Sequence, residues 1–187
     1  MIFCIGLSKT GTTSVHRACE MLGLRSVHYP SARRMLDGDF SVLDGFDAAG
    51  DISVSFRFED LDEAFPGSRF ILTVRDEAAW MRSCAANFPE GLMKARYAGT
   101  PEREVFRSLY GVEYFVAPAF ASARHRHSAR VERHFAGDDR LLTLDVGHPD
   151  AWRRLACFLG FGPVPGCFPH ANRTPAPADA TQRHQTA

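Results

Sequence analysis

Apolar positions along the chain follow two rhythms, short uninterrupted runs and runs with a spacing of three to four residues. Ile2–Ile5 is a brief apolar stretch closed by Gly6, as expected of a central parallel strand. From Thr12 the spacing turns helical, with Val15, Ala18, Cys19 and Leu22 on one face and Gly23 as the stop. Arg25–Tyr29 reads as a second strand ended by Pro30, and Ser31–Leu36 as a short helix before the turn signals Asp37-Gly-Asp and Asp44-Gly. Val54–Phe65 has helical spacing at Phe58, Leu61 and Phe65 and closes on Pro66-Gly67. Arg69–Val74 is the clearest strand, followed by a helix over Asp76–Ala86 with Trp80 and Cys84 on one side. Pro101–Phe135 reads as mostly helical, broken at Pro118 and stopped at Gly137. Leu141–Val146 is a last strand and Trp152–Leu159 a last helix.

Strands alternating with helices imply an α/β fold of three layers, with a parallel sheet of about four or five strands and right-handed crossovers. No repeat or second domain interrupts the pattern. A single domain is expected over residues 1–174, and 175–187, rich in Ala, Pro, Thr and Gln, reads as a loose tail. Ligands of such sheets bind beyond the carboxyl ends of the strands. Gly6–Ser14, His28–Tyr29 and Arg75–Asp76 all fall at that edge, and Trp80 and Trp152 are expected in the core.

Composition narrows the function. The 187 residues carry 22 basic and 22 acidic side chains, a balance that offers no general attraction to nucleic acid or membrane. Anion binding must therefore come from local placement. The five cysteines (Cys4, Cys19, Cys84, Cys157, Cys167) are odd in number and irregular in spacing, which suits reduced thiols of an intracellular protein. The first residues run directly into a strand and no apolar run is of spanning length, so a cytoplasmic protein is expected.

The first strand opens into Gly6-Leu-Ser-Lys-Thr-Gly11-Thr-Thr-Ser14 and then a helix. Glycines let the backbone curl so that successive N–H groups converge, and the helix N-terminus adds free donors and partial positive charge. Thr12, Thr13 and Ser14 supply hydroxyls and Lys9 a full charge. The nucleoside triphosphate loop G-x-x-x-x-G-K-[ST] has the same glycine spacing, but Thr12 stands where its lysine would be. That arrangement suits a single 5'-phosphate and a labile bond beside Lys9 rather than ATP hydrolysis.

At these residues the chain resembles the sulfotransferase superfamily. The family's 5'-phosphosulfate loop has the form [ST/P]-K-[TS]-G-T-[TS], matched by Ser8-Lys-Thr-Gly-Thr-Thr13. Its 3'-phosphate motif, a strand-end Arg with a Ser eight residues on, is matched by Arg75 and Ser83. Phe65-Pro-Gly-Ser-Arg-Phe-Ile-Leu-Thr-Val-Arg-Asp76, Trp80, and the closing Phe158-Leu-Gly and Phe168-Pro-His-Ala-Asn-Arg-Thr174 resemble a compact sulfotransferase-like branch over nearly the whole chain. That branch tends to carry Asp-x-Pro where this chain has Asp51-Ile-Ser53.

The resemblance implies a P-loop-type fold and 3'-phosphoadenosine 5'-phosphosulfate as donor, bound by Ser8, Lys9, Thr10, Gly11, Thr12, Thr13, Ser14, Arg75 and Ser83, with Arg173 as a further candidate for the 3'-phosphate. A sulfuryl group would pass to a hydroxyl or amine of a small-molecule or carbohydrate acceptor. No metal is required, since Lys9 and the loop N–H groups stabilise the leaving phosphate. For the base, Asp51 and His28 lie at the binding edge, whereas His127 falls in a helical region where a packed or surface histidine is expected. Asp51 or Ser53 would also suit a helix cap.

Arg124-His-Arg-His127 reads as a solvated basic face, because histidines two apart on a helix do not share a side. Leu92–Val116 is the stretch free to wall an acceptor pocket, with Phe106, Tyr110, Tyr114 and Phe115 as either lining or helix core. A kinase-like phosphotransferase, a nucleotide binder without chemistry and a plain interaction domain are the alternatives.

Overall fold

The computed structural model describes residues 1–162 and 164–169; Arg173 and the tail expected over 175–187 lie outside them. Five strands form one parallel sheet in the order β2-β3-β1-β4-β5. They are β1 (Ile2–Cys4), β2 (Ser26–His28), β3 (Ala48–Gly50), β4 (Arg69–Val74) and β5 (Leu141–Asp145). β1 sits at the centre, with β3 on one side and β4 on the other. The chain changes direction across the sheet at that point, opening a crevice beyond the carboxyl end of β1.

Alternation along the strands builds two cores. Phe3, Ile5, Phe70 and Leu72 face one layer, packing with Phe58 and Leu61 of α4 (Phe58–Ala64) and with Val131 and Phe135 at the end of α8 (Ala117–His134). Cys4, Ile71 and Leu144 face the other, against Val15, Ala18 and Cys19 of α1 (Thr12–Met21) and Trp152 and Leu155 of α9 (Ala151–Phe158). A third cluster joins Trp80 and Cys84 of α5 (Glu77–Asn87), Met93 of α6 (Glu90–Tyr97), Phe106 and Tyr110 of α7 (Pro101–Tyr110) and Phe120 of α8. Leu7 and Ile52 belong to it, so this helical cap sits over the loops that leave β1 and β3. All five cysteines are free, Cys4, Cys19 and Cys84 buried and Cys157 and Cys167 exposed.

Three elements differ from the sequence pattern. β3 was not predicted, because Ala48-Ala-Gly50 carries no β-branched or aromatic residue. Small residues are required there: a Cβ on Gly50 would lie 2.9 Å from Cβ of Cys4 on the neighbouring strand. The helix expected over Val54–Phe65 divides into α3 (Ile52–Ser55) and α4, and α2 (Ala32–Leu36) precedes a 3-10 turn at Phe40–Leu43. The break expected at Pro118 falls instead at Gly111, which takes φ 74° after α7. Pro118 lies in the first turn of α8, where the missing N–H costs nothing.

Candidate functional site

A cleft of about 950 Å³ opens at the carboxyl edge of the sheet. Ser8–Ser14, His28, Asp51, Arg75 and Ser83 all line it, so every described residue expected at the site from sequence is brought to one cavity.

The loop after β1 is held from outside by its carbonyls. Ile5 oxygen lies 2.6 Å from Nε2 of His127, Gly6 oxygen accepts from Ser55 Oγ at 2.8 Å, and Leu7 oxygen accepts from Thr10 Oγ1 at 2.6 Å. Ser8 oxygen accepts from the indole N–H of Trp80 at 2.9 Å, and Lys9 oxygen from the Arg75 guanidinium at 3.3 Å. Five successive carbonyls, the groups that would repel an anion, are thus occupied by donors from α8, α3, the loop itself, α5 and the end of β4. The Thr73 hydroxyl donates to Thr10 Oγ1 at 2.6 Å, since Thr10 spends its own proton on Leu7. The first N–H groups of α1 have no carbonyl a turn behind them, which leaves donors at Thr12 and Thr13 on the cleft.

Two glycines are dictated by close approach. A Cβ on Gly6 would fall 1.8 Å from Thr73 Oγ1, and one on Gly11, at φ 113°, would fall 2.5 Å from Val146 beyond β5. Lys9, Tyr29 and Asp51 are the non-glycine residues with positive φ among the described residues (69°, 63° and 87°), and all three line the cleft. Backbone strain of roughly 1–3 kcal/mol per residue is therefore concentrated where the chemistry is expected.

His28 and Asp51 form a pair at the ends of adjacent strands. Nε2 of His28 lies 3.3 Å from Oδ2 of Asp51, with the Thr13 and Thr12 hydroxyls at 3.3 and 3.4 Å. The other Asp51 oxygen accepts the N–H of Ile52 at 2.7 Å, so the carboxylate also caps α3, as the sequence allowed. Burial pushes the Asp51 carboxyl above the usual carboxylate range, while His28, the Ile52 N–H and Lys9 pull it back. The ring of His16 stands 5.5 Å from that of His28 and hydrogen-bonds Ser26 Oγ at 2.8 Å.

Arg75 and Ser83 both reach the cleft, Arg75 from the end of β4 and Ser83 from α5. Arg75 is steadied from behind, its carbonyl accepting from Arg124 at 2.9 Å. Ser83 is 5% exposed and its hydroxyl has no hydrogen-bond partner, a buried donor held ready in the cavity.

His127 plays no part in the cleft. It is 4% exposed, and since a carbonyl can only accept, Nε2 carries the proton toward Ile5. Burial drives its pKa below the ordinary histidine value. The basic run therefore divides: His125 and Arg126 are exposed, whereas His127 is core and Arg124 lies over the Trp80 ring at 5.5 Å. Helical periodicity explains the difference, since positions 120, 123, 127 and 131 face inward.

Sequence reasoning missed two groups. Asn87 Oδ1 accepts from Lys9 Nζ at 3.2 Å while its amide donates to Ser83 oxygen at 2.8 Å. The only signal was its position one helical turn beyond Ser83. Asp145, Val146 and Gly147 border the cleft past β5, a strand end that carried no motif. The acceptor-side aromatics divide as well: Phe106 lines the cleft, Tyr110 is core with its hydroxyl accepting the Ser8 N–H at 3.1 Å, and Tyr114 and Phe115 pack on the cap.

A family model described as a sulfotransferase domain matches residues 1–39 and 30–176. Ava biosynthesis cluster protein M of Aspergillus versicolor is similar at 28% identity, and the match spans 44% of this chain and 40% of that protein's length. A gluconokinase structure from Sinorhizobium meliloti 1021 is similar with a TM-score of 0.45 and 17% identity, covering 85% of this chain and 90% of that one. Among the described residues no helix is long and apolar enough to cross a membrane.

Proposed function

The chain belongs to the sulfotransferase domain family, and on that premise we propose that it moves a sulfuryl group from 3'-phosphoadenosine 5'-phosphosulfate to a hydroxyl or amine of a small-molecule or carbohydrate acceptor in the cytoplasm. The observation that carries this reading is the loop after β1, with the carbonyls of residues 5–9 turned to protein donors and with Lys9, held by Asn87, and the α1 N-terminus facing the cleft. The 5'-phosphosulfate would lie on Ser8, Lys9, Thr10, Gly11, Thr12, Thr13 and Ser14. Arg75 and the unpartnered Ser83 hydroxyl would take the 3'-phosphate, Arg75 by a forked contact. Arg173, outside the described residues, stays a candidate for the same group.

In the reaction the acceptor oxygen or nitrogen forms a bond to sulfur as the bond from sulfur to the 5'-phosphate oxygen breaks. The proton released by the acceptor passes to the His28–Asp51 pair, and the electron pair leaves with adenosine 3',5'-bisphosphate. Lys9 and the loop N–H groups stabilise the charge that gathers on the leaving phosphate, each such donor being worth on the order of 10²–10³ in rate. Base catalysis by the pair would add roughly 10²–10⁴. The raised Asp51 carboxyl, held next to an imidazole, suits a group that must accept and then release a proton.

Calorimetric titration with adenosine 3',5'-bisphosphate, beside ATP with Mg²⁺, tests the proposal on wild type, Lys9→Ala and Arg75→Ala. Tight binding of the bisphosphate alone is expected, weakened roughly 10- to 150-fold by either substitution, as for loss of a charged hydrogen bond. Binding of ATP without binding of the bisphosphate would replace the sulfotransferase reading with a kinase-like one.

A further inference from the structure

Beyond the donor loop the cleft is of a different character. Tyr29, Phe88, Met93, Tyr97 and Phe106 line it, with Met93 4% and Phe106 3% exposed. Glu102 lines the same half from the first turn of α7. It is half-buried and makes no ion pair among the described residues, although neighbouring acids do: Glu113 holds Arg103 at 2.6 Å and Arg107 at 3.0 Å, and Glu90 holds Lys94. Glu102 and Tyr29 line the cleft together; burial raises the Tyr29 phenol, the negative charge of Glu102 adds to that rise, and Arg96 opposes it.

Tyr29 is turned out of the strand path by its positive φ, directly after His28. An aromatic and apolar wall leads in this way from the proposed base to a carboxylate that makes no ion pair among the described residues. Arg96 also lines the cleft, but it is exposed and its guanidinium lies 5.3 Å from the Tyr97 ring centre.

We infer that the acceptor is a hydroxyl compound with a flat apolar body and a protonated amine, the amine seated between Glu102 and the tyrosine rings. A carboxylate with aromatic faces is the arrangement that recognises an ammonium group, which keeps part of its charge solvated by the ring quadrupoles. The hydroxyl at the other end then points to His28 and the sulfuryl group. An acidic acceptor would face Glu102 across the same space and be repelled. This inference rests on the proposed sulfuryl transfer only for the direction in which the acceptor lies.

Ligand-observed NMR titration with tyramine, 4-propylphenol and 3-(4-hydroxyphenyl)propanoate separates the possibilities without requiring turnover. These probes share one body and differ in carrying an amine, no charge or an acid. Tyramine is expected to bind about tenfold more tightly than 4-propylphenol, and Glu102→Gln is expected to erase that difference. Equal binding of the three, preference for the propanoate, or a tyramine preference that survives Glu102→Gln would overturn the inference. Bisphosphate titration of the same samples keeps the two readings apart. Bisphosphate binding without amine preference removes only the acceptor class; amine preference without bisphosphate binding removes the donor reading and leaves a cation site.

Discussion

Replacing Tyr110 with Phe probes how the cap holds the loop after β1. The ring has its own support, stacked on Phe120 at 4.3 Å and 10° and tilted against Phe106 at 4.5 Å, so the substitution removes the hydroxyl and little else. That hydroxyl accepts the N–H of Ser8, a residue only 9% exposed. Without it a backbone donor is buried unpaired, at a cost of about 1–3 kcal/mol. For a domain of this size each kcal/mol lowers Tm by roughly 2–4 °C, so a drop of about 2–12 °C is expected in differential scanning calorimetry. Ser8 keeps its bond from Trp80, so the loop should loosen at one end and the fold should persist. A melting temperature within about 1 °C of wild type would show that the Ser8 N–H finds another partner, and that the cap does not set the loop through Tyr110.

Two further substitutions report on loop and core. Gly11→Ala meets Val146 at 2.5 Å and holds alanine at φ 113°, whereas Gly67→Ala, at φ 78°, meets nothing within 4 Å. Thermal melts should show a loss of roughly 1–2 kcal/mol for Gly67→Ala and more for Gly11→Ala, with only the latter weakening bisphosphate binding. His127, lowered by burial, binds its proton more readily in the unfolded chain than in the folded one. Stability should therefore fall as pH drops below about 6.5, by at most about 1.4 kcal/mol per pH unit from this group. Urea midpoints measured down to about pH 5.5 should flatten in His127→Gln relative to wild type.

The residues that line the loop side of the cleft could be read from the chain because they are local in it. Gly6, Lys9, Gly11 and the hydroxyls that follow are consecutive, and Arg75 and Ser83 are joined by one strand end and one helix. The central strands announce themselves for the same reason, each being a continuous apolar run. β3 stayed hidden because Ala48, Ala49 and Gly50 are small residues that carry no strand signature, and Gly50 is fixed by its close approach to Cys4. What secures the loop was equally silent: Tyr110 lies 102 residues from Ser8, and His127 lies 122 from Ile5. A lone tyrosine or histidine at such separations offers no spacing to read. Glu102 went unnoticed as an ordinary first-turn acid until α7 placed it in the cleft.

The 18 residues of α8 belong to two cores at once. Phe120 and Ala123 are embedded in the cap, and Val131 and Phe135 at its far end are embedded beneath the sheet. One helix planted in both clusters joins the cap to the layer beneath the sheet. Through His127 the same helix also holds the Ile5 carbonyl where the loop leaves β1. The shape of the cleft is in this way tied to the packing beneath the sheet.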